Sequence, residues 1–118
     1  MVYQHKELSR GGWKKISFFE QMANIGSEVE RAINWRNKKD EEYSRMAFER
    51  ALELIDLTMA DEKNLKRLRE IARIRELFAD YFACGNQYSF SEKSWKNYFY
   101  AFAFAANQAC PRQAKIIN

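Results

Sequence analysis

Residues 17–38, SFFEQMANIGSEVERAINWRNK, decide the fold. Ser17 and Glu20 stand at the spacing of a capping box, in which the serine hydroxyl accepts from a first-turn amide while the glutamate reaches back to the N–H of the cap residue. Phe18, Met22, Ile25, Val29 and Ile33 then recur every three or four positions, the period of one buried helical stripe. Gly26 interrupts good helix formers at a cost of about 1 kcal/mol against alanine, which points to the close approach of another backbone. The spacing predicts that this helix ends near Lys38.

Outward from that stretch the pattern repeats. A second helix is predicted from about Asp40 to Met59, with Asp40, Glu41 and Glu42 in its first turn, where the helix dipole favours negative charge. Its apolar residues, Tyr43, Met46, Phe48, Leu54, Ile55 and Leu57 among them, cover more than half its circumference, so it should be touched on two sides. Asp61 is the expected cap of a third helix running through Leu65, Leu68, Ile71 and Phe78 to a left-handed stop at Gly85. Ser91 caps a fourth, with Trp95, Phe99, Phe102 and Ala106 inward and Pro111 as its end. Connectors of a few residues make sequential helices antiparallel neighbours. The fold class is all-α, an up-down antiparallel bundle of about four helices: residues 1–16 form a short N-terminal arm anchored through Tyr3, Trp13 or Ile16, residues 17–111 the bundle, and residues 112–118 a C-terminal tail.

At 118 residues, 47% hydrophobic and 31% charged with four Gly and one Pro, the chain has the composition of one ordered, helix-rich domain able to bury a core without staples. It has no run of about 20 apolar residues to span a membrane and no apolar leader, so a cytoplasmic location is expected. Cys84 and Cys110 lack a CxxC spacing, which predicts free thiols, no disulfide framework and no zinc site. Net charge alternates in blocks: +4 over residues 1–39, −6 over 40–62 and +6 over 63–118. A hairpin turning near residue 61 would set Glu49 level with Arg73, Glu53 with Arg69 and Asp56 with Lys66, neutralising the acidic block locally.

Chemistry-bearing patterns are sparse. His5 is the sole histidine and lies in the arm, which removes histidine triads and di-iron Glu-x-x-His pairs, and neither a Gly-rich phosphate loop nor an EF-hand occurs. Glu49, Glu53 and Asp56 share a stripe of the second helix, and the spacing Glu53-x-x-Asp56 resembles half of the carboxylate motif with which all-α nucleotide pyrophosphohydrolases hold Mg²⁺. The companion Glu-x-x-Glu is missing, since Glu28 and Glu30 face different ways. No catalytic residue, cofactor or metal is therefore predicted. Arg50 and Arg75 each fall within a mostly apolar face, and a buried guanidinium needs a partner. With a turn near residue 39, Glu28 stands level with Arg50, and Asn24, Ser27 and Arg31 lie around it. This polar seam is either a network that fixes helix register or a pocket for phosphate or a nucleotide. Tyr100 and Phe104 project opposite the core side of the fourth helix. They are a candidate interface, unless the arm or Ile116 and Ile117 of the tail cover them.

Three stretches, QMANIGSEVERAINW at 21–35, AFERALELIDLT at 47–58 and RLREIARIRE at 67–76, resemble a family of small uncharacterised prokaryotic helical proteins over most of residues 13–106. The resemblance implies a helical fold and a prokaryotic, cytoplasmic setting and brings no site residues. At the level of architecture the chain is similar to HEPN-type bundles, which act as ribonucleases or partner nucleotidyltransferases, but it lacks their catalytic Arg-then-His motif. Two functions follow. The first is a noncatalytic interaction module that forms a homo-oligomer. The second is a phosphate-directed binding protein for RNA, DNA or a nucleotide, using Lys63, Arg67 and basic residues of the first and last segments. No membrane partner is expected.

Overall fold

The computed structural model describes residues 11–109. Four helices carry the chain, α1 (Phe18–Asn37), α2 (Glu41–Ala60), α3 (Leu68–Ala83) and α4 (Glu92–Ala109), with no strand among the described residues. A single 3-10 turn, Trp13–Lys15, precedes α1, and a longer 3-10 segment, Glu62–Arg67, leads into α3. The protein is an all-α bundle. The arm residues Tyr3 and His5, and also Cys110, Pro111, Ile116 and Ile117, lie outside the described residues.

Contacts fix the directions. Along α1 and α2, Trp35 meets Tyr43, Ser44 Oγ donates to the Ala32 carbonyl, and Arg50 meets Glu28, so one helix descends as the other rises. Phe48 against Phe82 and Asp56 against Arg75 make α2 and α3 antiparallel in turn. Phe78 against Trp95, with the Tyr98 hydroxyl donating to Glu70, does the same for α3 and α4. Phe18 on Phe102 and Asn37 on Glu92 then close the ring between α1 and α4. The up-down order predicted from short connectors holds.

The α1 stripe of Phe18, Met22, Ile25, Val29 and Ile33 is buried throughout, each side chain contributing about 1.5–3 kcal/mol. Its start is the predicted capping box: Ser17 Oγ accepts from Glu20 N at 3.1 Å, and Glu20 reaches back to Ser17 N. Between α3 and α4 the space is filled by rings, with Trp95 at the centre touching Phe78, Tyr81, Phe90 and Phe99. The loop joining these helices is held by Asp80, whose carboxylate accepts from Gln87 N and Tyr88 N, after Gly85 has turned the chain at φ 79°. Ser91 Oγ accepts from Ser94 N as the cap of α4.

Several expectations, most of them about the α2–α3 hairpin, need correction. Asp61 caps the 3-10 segment rather than an α-helix, which moves the α2–α3 turn toward residue 65. Leu65 consequently lies 73% exposed instead of in the core, and Asp56 pairs with Arg75 at 2.7 Å, not with Lys66. Glu49 joins Arg45 on its own helix at 3.9 Å instead of Arg73 across the hairpin. Gly26 is crowded, as expected, by the close approach of another helix: a Cβ there would stand 2.6 Å from Phe99 Cβ of α4. Because Phe99 Cβ is tied to the α4 backbone, Gly26→Ala forces α4 outward. We expect a net loss of about 1–2 kcal/mol in urea unfolding, overpacking outweighing the helix propensity gained; a stabilised variant would show that α4 yields freely.

Candidate functional site

The polar seam predicted between the first two helices exists, with fewer members. Both carboxylate oxygens of Glu28 are occupied: Oε2 accepts from Arg50 Nε at 2.7 Å, and Oε1 from Arg31 at 2.6 Å. The Glu28 side chain is 8% exposed, that of Arg50 25% and that of Arg31 62%, so one nearly buried carboxylate lies between a largely covered and a solvated guanidinium. Asn24 and Ser27 do not join it. Each is exposed and turns back to α1's own backbone, Asn24 Nδ2 donating to the Glu20 carbonyl and Ser27 Oγ to that of Ala23. Arg75 belongs elsewhere, paired with Asp56 at the solvent side of α2 and α3. Ile71, Ile74 and Phe78 around it on α3 are buried, but the Arg75 guanidinium turns to the half-exposed Asp56 carboxylate.

A second polar cluster gave no comparable sequence motif. Where the start of α1 meets the end of α2 and the 3-10 segment, Trp13, Gln21, Thr58, Asp61 and Asn64 are all buried. Trp13 Nε1 donates to Thr58 Oγ1 at 2.8 Å, and Thr58 donates onward to the Leu54 carbonyl. Gln21 Nε2 donates both to the Trp13 carbonyl and to Asp61 Oδ2, while its Oε1 accepts from Asn64 Nδ2. Lys63 adds its backbone N–H and its ammonium to Asp61. Burial alone would raise the Asp61 carboxyl, but hydrogen bonds from Lys63 and Gln21, together with the Lys63 charge, hold it below the ordinary carboxylate value. The one available signal was Gln21 itself, a polar residue set inside the apolar stripe of α1. The cluster docks the end of the arm and the 3-10 segment onto the bundle.

The outer side of α4 is the third feature. Tyr100 and Phe104 are 70% and 55% exposed, on the side of the helix away from Trp95, Phe99 and Ala106. Beside Tyr100 runs a groove between α1 and α4 of about 240 Å³, floored by Gly26 and Phe99, walled by Ala23 and Ala103, and edged by Glu30 and Lys96. Gly26 lets Phe99 pack directly on α1 at its floor, and the small alanines line the sides.

The remaining candidates are dispersed or already engaged. Glu49 is exposed, Glu53 buried, and Asp56 held by Arg75, and no group of His, Cys, Asp or Glu among the described residues is arranged to hold a metal ion. Lys63 binds Asp61 and the Lys14 carbonyl, and the Arg67 guanidinium lies over the Phe18 ring at 4.3 Å. Cys84 is exposed and free. No helix of the described residues is long and apolar enough to cross a membrane. Compared with known protein families, curated proteins and solved structures, the chain matches none.

Proposed function

We propose that the chain is a noncatalytic helical interaction module of the cytoplasm that self-associates through the outer face of α4. The observation that carries this reading is the exposed pair Tyr100 and Phe104, one helical turn apart. They are flanked by exposed, uncharged Asn97 on one side and Asn107 and Gln108 on the other, the composition of an aromatic interface centre within a polar rim. Charge favours a second copy as the partner. Lys93 and Lys96 crowd the first turns of α4, and no charged residue follows them up to Ala109. Parallel pairing would bring the two Lys93 ammonium groups together, Lys96 being paired with Glu92 at 3.2 Å, whereas a two-fold axis near Phe102 sets Tyr100 opposite Phe104, sends these charges to opposite ends and opposes the helix dipoles. The groove beside Tyr100 then receives an aromatic ring of the partner.

Sedimentation equilibrium of the full chain tests this directly. Association is expected in the micromolar range, and Tyr100→Ala with Phe104→Ala should raise the dissociation constant at least roughly tenfold without loss of helix content. A strict monomer at high micromolar concentration would refute the proposal.

A further inference from the structure

At the opposite end of α1 from the capping box, the α1–α2 turn and the end of α3 enclose a cleft of about 520 Å³, within the range of small-molecule sites. Its lining combines three cations, Arg36, Lys39 and Arg45, with the rings of Phe48 and Phe82. Arg36 is held in place before any ligand arrives: Nη1 donates to the Tyr81 carbonyl at 3.1 Å, and the guanidinium lies 5.0 Å from the Phe82 ring centroid and 5.5 Å from that of Tyr81. It has no carboxylate partner among the described residues, and neither has Lys39. Arg45 has only the long contact to Glu49.

Lys39 is also out of character with its backbone. Its φ of 62° lies in the left-handed region, where glycine or asparagine is the ordinary choice. A lysine there closes α1, with the Lys39 and Asp40 N–H groups donating back to the Arg36 and Trp35 carbonyls, and it contributes a cationic side chain to the cleft lining where glycine would contribute none. The lining carries one carboxylate, Glu41. Glu41 opposes a bare anion but accepts hydrogen bonds from sugar hydroxyls or an exocyclic amine, so the composition suits a ligand with a phosphate at one end and a planar, hydroxyl-bearing body. Ser44, whose hydroxyl donates to the Ala32 carbonyl, keeps lone pairs for accepting only.

From this cleft we infer that the protein binds a nucleoside monophosphate group, the phosphate on Arg36, Lys39 and Arg45 and the base against Phe48 and Phe82. This site is separate from the α4 face and does not depend on self-association. The phosphate group has two sources, a free nucleotide or the 5′ end of an RNA strand.

The test is an NMR titration of the full chain with AMP, adenosine, inorganic phosphate and a 5′-phosphorylated RNA tetranucleotide at low salt, where phosphate contacts are strongest. AMP should shift the resonances of Arg36, Lys39, Phe48 and Phe82, with adenosine and phosphate each binding at least roughly tenfold more weakly. Equal affinity for AMP and the oligonucleotide assigns the site to free nucleotides, and tighter binding of the oligonucleotide assigns it to RNA ends. The decisive variant is Lys39→Gly, which removes the charge while suiting the left-handed backbone, so thermal stability is kept and affinity falls roughly tenfold. Absence of shifts at ~10 mM AMP, or undiminished binding by Lys39→Gly, would overturn the inference.

Discussion

Asp61→Ala is expected to destabilise the protein by about 3 kcal/mol, read as a lower midpoint in urea with an unchanged slope at fixed protein concentration. The substitution removes the acceptor of a buried Gln21 amide hydrogen bond at 2.8 Å and of the part-buried Lys63 backbone N–H, and strips the Lys63 ammonium of its carboxylate. Hydrogen bonds to a charged group contribute about 1.5–3 kcal/mol each, but Lys63 turns to solvent and recovers hydration, which keeps the sum well below three full bonds. Asp61→Asn retains an acceptor and loses the charge, so it should fall between wild type and Asp61→Ala. The same group gives a pH dependence. Its folded-state pKa is depressed below the ordinary value of 3.8, so its contribution is present above that value and is lost as pH falls through the folded-state pKa. Wild-type stability should therefore decline more steeply than that of Asp61→Asn below about pH 4. Parallel acid profiles, or a loss under 1 kcal/mol in Asp61→Ala, would show that the cluster is held by packing alone.

How much of this was legible in the sequence depends on the range of the interaction. The α1 stripe, the capping box and the Gly85 stop are set by neighbours within a turn, and they appear where the pattern places them. The level of Glu28 with Arg50 was also readable, because the α1–α2 turn is short and both helices are regular up to it. The α2–α3 hairpin was not, since the 3-10 segment over Glu62–Arg67 rises more per residue than an α-helix and moves the point of reversal. The pairings expected of Asp56 and Glu49 then slip: Asp56 meets Arg75 at the surface, and Glu49 turns to Arg45 of its own helix. The Asp61 cluster escaped for another reason. Its bonds join Trp13 to Thr58 and Gln21 to Asp61 and Asn64, distances along the chain that no helical period reports. Lys39 was hidden because a lysine says nothing of φ until the turn is built.

The Glu28–Arg50 pair separates a register device from a binding site. Arg50→Ala leaves a nearly buried carboxylate with Arg31 alone, and Arg31 is largely in water. Removing one partner of a buried pair costs about 3–5 kcal/mol; with Arg50 a quarter exposed and Arg31 remaining, about 2–3 kcal/mol is expected. Glu28→Leu alone should cost a similar amount, because the largely covered Arg50 guanidinium then loses its carboxylate. The double replacement, Glu28→Leu with Arg50→Leu, removes both charges together and lets Arg31 relax into solvent, so its cost should stay within about 1 kcal/mol of wild type and the cycle should show a coupling of roughly 2 kcal/mol or more. Additive costs would mean that the two side chains stabilise the bundle independently, by packing rather than by pairing. Register is read separately, from whether the Ser44 to Ala32 hydrogen bond and the Trp35–Tyr43 contact survive in the double variant. If they survive with stability restored, apolar packing suffices to align α1 with α2. If stability returns while those contacts slip or multiply, the buried charge pair is what selects one register among several that the apolar faces would otherwise permit.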